Sequence, residues 1–87
     1  MKRISLGQVL STPGALDTFT SEELTQSLKR HSTGDWGDLS SEDTEFNEEA
    51  LIEGGRIFSV YKFSERKLWI ITEHDRSSTT LLLPSEY

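Results

Sequence analysis

The chain has no cysteine among its 87 residues, and this absence excludes several kinds of protein. Without thiols it cannot form disulfides, bind zinc through thiolates or use a cysteine nucleophile. It also lacks an apolar run of about 18 or more residues, which a membrane span would need. The first ten residues carry Lys2 and Arg3 but no apolar segment typical of a secretory signal. We therefore expect a single small domain, residues 1–87, in a reducing cytoplasm.

Lysine and arginine are absent from residues 32–55. That stretch holds Asp35, Asp38, Glu42, Asp43, Glu45, Glu48, Glu49 and Glu53. The whole chain has a net charge of −6, whereas its remainder, with nine bases and seven acids, carries +2. Tight binding to duplex DNA is unexpected, because phosphate binding needs a basic footprint. The acidic stretch is either a solvated surface or a binding surface for a protein with a basic face.

Three helix starts are indicated in the N-terminal half. Thr12 before Pro13 is typical of a capped first turn. Thr20 and Glu23 have the spacing of a capping box, and Ser40 is placed to cap a third helix. For that third helix we expect an inward stripe formed by Phe46 and Ala50, with the helix ending at Gly54 and Gly55.

The period of the apolar pattern changes to two after Gly55. Residues 56–63, 68–73 and 78–83 predict three strands joined by four-residue connectors, and residues 4–10 are a weaker candidate for an edge strand. The face that carries Ile57, Tyr61, Ile70 and Leu81 is the more apolar, so we expect the helices on it. The same register places Phe58, Trp69 and Glu73 on the other face. The predicted fold is α+β: two or three N-terminal helices, then a three-stranded antiparallel meander with the helices packed on one face.

Five consecutive polar side chains follow the middle strand: Glu73, His74, Asp75, Arg76 and Ser77. A carboxylate, an imidazole and a guanidinium can serve as base, acid and phosphate stabiliser, a combination that suits metal-independent cleavage of RNA through the 2′-hydroxyl. The same residues suit a polar turn in which Asp75 and Ser77 cap backbone groups and Arg76 pairs with Asp75 or Glu73. The polar turn is the favoured interpretation.

His31 ends the apolar stripe of the second predicted helix. It is either a packing residue or a catalytic partner of the turn residues. The two histidines, His31 and His74, match no metal-ligand spacing, so we expect no metal and no cofactor.

Trp36 stands between two glycines and two aspartates, in the sequence Gly34-Asp35-Trp36-Gly37-Asp38. Tryptophan is enriched at binding hot spots, which makes Trp36, Asp35 and Asp38 binding candidates together with Arg76. The alternative is that Trp36 closes the core between helices and sheet.

Three stretches of the chain form a distinctive pattern. They are Leu6-Gly7-Gln8-Val9 with Thr12-Pro13-Gly14-Ala15-Leu16; His31-Ser32-Thr33-Gly34-Asp35-Trp36-Gly37-Asp38-Leu39 with Glu42-Asp43; and Trp69-Ile70-Ile71-Thr72-Glu73-His74-Asp75-Arg76-Ser77-Ser78-Thr79-Thr80 with Leu82-Leu83-Pro84 and Tyr87. The pattern resembles a widespread family of small uncharacterised bacterial proteins associated with plasmids, phages and integrated elements. That group commonly has alanine in place of His74, so the resemblance favours Glu73, Asp75, Arg76 and His31 as the catalytic candidates. The resemblance implies a bacterial cytoplasmic accessory protein and carries no established activity.

These observations favour a small acidic protein-interaction or regulatory module, tied to mobile elements by the resemblance, whose partner presents a basic surface. No catalytic motif supports an enzyme. The alternative is a metal-independent ribonuclease-like enzyme that uses the turn at residues 73–77 and His31.

Overall fold

A computed structural model describes residues 4–87; Lys2 and Arg3, noted in the sequence, lie outside this range. The elements follow in the order β1 (Gln8–Ser11), α1 (Pro13–Thr18), α2 (Ser21–Ser32), α3 (Ser41–Glu53), β2 (Ile57–Phe63), β3 (Arg66–Thr72), β4 (Ser78–Leu82) and a short 3₁₀ helix (Pro84–Glu86). No helix in residues 4–87 is both long enough and apolar enough to cross a membrane.

The three predicted helix starts are confirmed by their hydrogen bonds. The Thr12 hydroxyl accepts the Ala15 N–H at 3.1 Å. Thr20 and Glu23 form the complete capping box, with both side chains accepting the other's backbone N–H at 3.1 and 2.9 Å. Ser40 accepts the Asp43 N–H at 3.1 Å. These caps depend on residues three apart in the sequence, which is why the sequence predicts them well.

The sheet has four strands in the order β1-β4-β3-β2. Strands β2, β3 and β4 form the predicted antiparallel meander, with Trp69 opposite Leu82 and Ile71 opposite Thr80. The connector between β2 and β3 has two residues, 64–65, rather than the expected four, because pairing continues to Phe63 and Arg66.

The predicted three-stranded meander does not include strand β1, which adds a fourth strand and makes the sheet mixed. It runs parallel to β4, with Val9 opposite Thr79. Its successive residues Val9 and Leu10 are 45% and 43% exposed. An edge strand with neither face buried needs no alternation of apolar and polar residues, and so its sequence signal is weak.

The helices pack on the predicted face of the sheet. The main core consists of Ala15, Phe19, Tyr61, Leu68, Ile70 and Leu81. A second cluster joins Trp36, Ala50 and Ile57. The opposite face carries Phe58 and Trp69; within residues 4–87 none of α1, α2 and α3 packs on it, and Tyr87 contacts Trp69 there.

The prediction for the inner face of α3 is partly wrong. Ala50 is buried, but Phe46 is 60% exposed and Asn47 is only 3% exposed. The reason lies at the outer edge of β2, where the N–H and C=O groups of Phe58 point away from β3 and meet no further strand. The Asn47 amide donates to the Phe58 carbonyl at 2.6 Å and accepts the Phe58 N–H at 3.1 Å. A phenyl ring could not satisfy these two backbone groups.

Candidate functional site

Arg76 lies in the turn between β3 and β4 and extends its guanidinium to the end of α3. It donates from Nη1 to the carbonyls of Gly55 at 2.5 Å and Glu73 at 3.0 Å, and from Nη2 to the Ala50 carbonyl at 3.0 Å. A cation is well placed there, because the carboxyl end of a helix carries partial negative charge. The expected pairing with a carboxylate of Glu73 or Asp75 is wrong: within residues 4–87 Arg76 bonds to carbonyl oxygens only.

The other turn residues have local partners. The Glu73 carboxylate accepts hydrogen bonds from Arg56 at 3.3 and 3.1 Å. Asp75 accepts the Ser77 N–H at 3.0 Å, as expected of a turn aspartate, and this hydrogen bonding to Ser77 lowers the pKa of Asp75. His74 is exposed. The turn is therefore held by hydrogen bonds that run within it and to α3.

We expect Arg76→Ala to lower the free energy of unfolding by about 2 kcal/mol, because it removes a charged donor from carbonyls in a half-buried position. The matched variant Arg56→Ala breaks an ion pair whose side chains are 50% and 34% exposed. It should cost about 1 kcal/mol or less. Urea unfolding followed by circular dichroism measures both, and similar small losses would show that Arg76 does not brace α3.

His31 lies inside the protein and is fully buried. Its Nδ1 is 2.5 Å from Ser59 Oγ and its Nε2 is 2.8 Å from Thr72 Oγ1. Thr72 Oγ1 is in turn 2.8 Å from Thr79 Oγ1, and the Thr79 hydroxyl donates to the Leu6 carbonyl at 2.7 Å. We call these four side chains the buried polar chain.

The direction of the buried polar chain fixes the tautomer of His31. Because Thr79 donates its single hydroxyl hydrogen to the Leu6 carbonyl, its oxygen must accept a hydrogen bond from Thr72. Thr72 must then accept from His31 Nε2–H, which leaves Nδ1 to accept from Ser59. Every atom in the chain is satisfied with a neutral imidazole. Burial lowers the pKa of His31 to about 4, so the ring is neutral at pH 7.

The proposed catalytic set does not converge. His31 contacts Thr72, whose side chain points to the helical side of the sheet. Glu73 follows Thr72 directly and pairs with Arg56 on the other side. Adjacent residues of an extended strand point to opposite faces, so the sheet itself separates His31 from Glu73. The acid and base that RNA cleavage would require are not brought to one point.

The loop at residues 34–38 carries three of the binding candidates, of which Trp36 lies in the core and Asp35 and Asp38 lie on the surface. Trp36 is 5% exposed, and its Nε1–H donates to the Glu48 carboxylate at 3.2 Å, which confirms the interpretation of Trp36 as a core residue. Asp35 is exposed and accepts two hydrogen bonds from Arg30, at 2.7 and 3.1 Å. This hydrogen bonding to Arg30 lowers the pKa of Asp35. Asp38 is exposed, 3.9 Å from the Lys62 ammonium.

The outer face of α3 is acidic and partly apolar. At about 100° per residue, positions 42, 45, 49 and 53 project from one side of the helix. We call this row the acidic ridge: Glu42, Glu45, Glu49 and Glu53, all exposed. Two apolar side chains flank it, Phe46 at 60% and Ile52 at 86% exposure. No cluster of histidine and carboxylate side chains in residues 4–87 is arranged to hold a metal ion.

Some residues of interest carry little sequence signal. Four buried polar residues belong to this group: Asn47, Ser59, Thr72 and Thr79. The alternation of a strand predicts which face a side chain points to, but not which hydrogen bonds it makes. A further group, Phe58, Trp69 and Tyr87, forms ring contacts on the sheet face away from the helices. The predicted strand register already places Phe58 and Trp69 together on that face.

Comparison with known proteins returned no relative: no family model, no curated protein and no solved structure matches the chain.

Proposed function

We propose that the protein is a small protein-interaction module that binds a partner with a basic surface through the acidic ridge and its two flanking apolar residues. The observation that carries this proposal is the exposure of Phe46 and Ile52 on either side of a row of carboxylates. Apolar side chains supply contact energy at an interface, while the surrounding charges set the choice of partner and the association rate.

Three of the four carboxylates of the acidic ridge, Glu45, Glu49 and Glu53, have no evident role in holding the fold together; Glu42 lies in the first turn of α3, where a negative charge is favourable. The ridge carboxylates follow one another at spacings of three and four residues, where like charges destabilise a helix by about 0.2–0.5 kcal/mol per pair. Glu48 of α3 accepts a hydrogen bond from the core residue Trp36, and Glu48 is not part of the ridge. A surface that costs helix stability is consistent with selection for binding.

Photo-crosslinking from the two apolar positions tests the proposal. A photoreactive phenylalanine analogue at Phe46 or Ile52 should crosslink, in cells producing the protein, to a partner whose contacted surface is rich in lysine and arginine. The matched control position is Leu16 of α1, which is 58% exposed but lies outside the acidic ridge. Equal crosslinking of the same protein from Leu16 would count against a specific site on α3.

Charge variants then test the contribution of the ridge itself. The triple variant Glu45→Gln, Glu49→Gln and Glu53→Gln should slow association with the crosslinked partner about tenfold and change dissociation less. The matched triple variant Asp17→Asn, Glu22→Gln and Glu65→Gln removes the same charge from exposed positions elsewhere. If both triple variants slow association equally, only net charge matters and the ridge is not the binding surface.

A further inference from the structure

The sheet face opposite the helices contains a shallow groove of about 310 Å³, lined by Arg56, Phe58, Trp69, Ile71 and Tyr87. The strand register explains why these residues meet. Phe58 lies opposite Ile71. Trp69 is two residues before Ile71 in β3, so the two side chains point to the same face of the sheet. Tyr87, beyond the 3₁₀ helix, lies against Trp69. The groove lies on the other side of the sheet from α3, so it is separate from the acidic ridge.

Three aromatic rings form a row in this groove. The Phe58 and Trp69 ring centroids are 4.9 Å apart with an angle of 84° between their planes. The Trp69 and Tyr87 centroids are 5.6 Å apart at 63°. Tyr87 is 70% exposed. Both contacts are edge-to-face, and Phe58 and Trp69 are half-buried, so Tyr87 offers the most accessible ring to another flat group.

Cations stand at both ends of the row. Beyond Trp69, Lys62 and Lys67 are directly opposite each other on the same face. Like charges in that position destabilise a sheet, so the fold gains nothing from the pair. Lys62 approaches Asp38 only at 3.9 Å, and no carboxylate of residues 4–87 forms an ion pair with Lys67. At the other end, the Arg56 guanidinium lies 6.0 Å from the centre of the Tyr87 ring.

We propose that this face binds single-stranded nucleic acid, with bases stacked on the aromatic row and phosphates on Lys62 and Lys67. Aromatic rings that reach the surface of a sheet, with cations beside them, are the combination that proteins use for unpaired bases and their backbone. Here Tyr87 is exposed, and Phe58 and Trp69 are half-buried. The charge of the face fits a polyanion: it carries Arg56, Lys62 and Lys67 against two carboxylates, Glu73 beside Arg56 and Asp38 beside Lys62, and Lys67 is the cation without a carboxylate in residues 4–87.

The overall charge of −6 does not oppose this binding strongly. Helix α3 packs through Ala50 against Ile57, whose side chain lies on the sheet face away from the groove. At physiological ionic strength exposed charges are screened over about 8 Å. A duplex is a different ligand. Its bases are already stacked and paired, so they cannot enter the groove, and its higher charge density meets too few cations here.

The two tryptophans allow a direct test, because Trp36 is buried on the helical side and Trp69 lines the groove. In the variant Trp36→Phe, Trp69 is the only remaining tryptophan. Titration with oligo(dT) of about twelve nucleotides should quench its fluorescence, whereas a duplex of equal length should not. Fluorescence anisotropy of labelled oligo(dT) with the unsubstituted chain gives the same affinity without relying on that variant.

Variants in the groove should weaken oligo(dT) binding selectively. We expect Tyr87→Ala to weaken it about tenfold, since each base–aromatic stack is typically worth about fivefold or more. Lys67→Gln should weaken it several-fold and reduce the slope of log affinity against log salt by about 0.7, the contribution of one phosphate on a single strand. The matched control Lys29→Gln, exposed on α2, should change neither quantity.

Several results would overturn the proposal. They are no binding of oligo(dT) at low salt, equal binding of the duplex, or equal effects of Lys67→Gln and Lys29→Gln. Quenching of Trp69 by an oligoglutamate peptide but not by oligo(dT) would instead assign the groove to an acidic protein segment.

Discussion

Gly37→Ala should lower the free energy of unfolding by about 4 kcal/mol, which is enough to unfold a domain of marginal stability. Gly37 has φ of +75°, a conformation that L-residues adopt only with strain. A Cβ at this position would overlap the Val60 carbonyl oxygen and lie 2.7 Å from Cδ1 of Tyr61. The obstacle is backbone, so no side-chain rotation can relieve it.

The cost is high because Gly37 lies inside a hydrogen-bonded contact with β2. The Val60 N–H donates to the Trp36 carbonyl at 3.1 Å, and the Asp38 N–H donates to the Val60 carbonyl at 2.7 Å. Moving the loop away from β2 would break both bonds and disturb the burial of Trp36. The contact also covers the edge of β2 at Val60, as Asn47 does at Phe58.

Gly54→Ala is the matched control for this prediction. Gly54 ends α3 with φ of +83°, but a Cβ there would meet no atom within 4 Å. Only the backbone strain remains, and because ψ is 121°, outside the left-handed helical region, we expect a loss of about 2 kcal/mol. Urea unfolding of both variants separates steric overlap from backbone strain. Equal losses would mean that the loop moves freely away from β2.

The sequence predicts well those features that depend on neighbours along the chain. Helix caps require residues three apart, and the register of the meander follows from alternation and short connectors. The inner face of α3 depends instead on an unpaired strand edge. Asn47 and Phe58 are eleven positions apart, and no pattern within the helix reveals that an amide must replace an aromatic side chain there.

The functional candidates show the same limit. Arg76 reaches Ala50 and Gly55, 26 and 21 positions away, so its neighbours Asp75 and Glu73 are poor guides to its partners. The separation of His31 from Glu73, by contrast, was contained in the predicted pattern. With Glu73 assigned to one face and the helices to the other, a helical histidine could not reach that carboxylate. The same register places Phe58 and Trp69 on one face, but alternation does not indicate that Tyr87 joins them there.

Acidification from pH 7 to about pH 4 should destabilise the protein by about 3 kcal/mol through His31 alone. The imidazole pKa is about 4 in the folded protein, against an ordinary value of 6.5. Between pH 6.5 and pH 4 the imidazole is protonated in the unfolded chain but neutral in the folded protein. The free energy of unfolding therefore has its full value above about pH 6.5 and falls as the pH decreases. Protonation would also place a hydrogen on Nδ1, where the buried polar chain supplies the Ser59 hydroxyl as a donor.

Urea unfolding at several pH values measures this loss. The free energy of unfolding should be about 2 kcal/mol lower at pH 5 than at pH 7, a range in which carboxylates with ordinary values near 4 contribute little. His74→Gln, which leaves His31 as the only histidine, should retain the dependence. His31→Gln should lose it while lowering stability at pH 7. If His74→Gln abolishes the dependence, or if stability stays constant between pH 7 and pH 5, the imidazole inside the protein is not held neutral by burial.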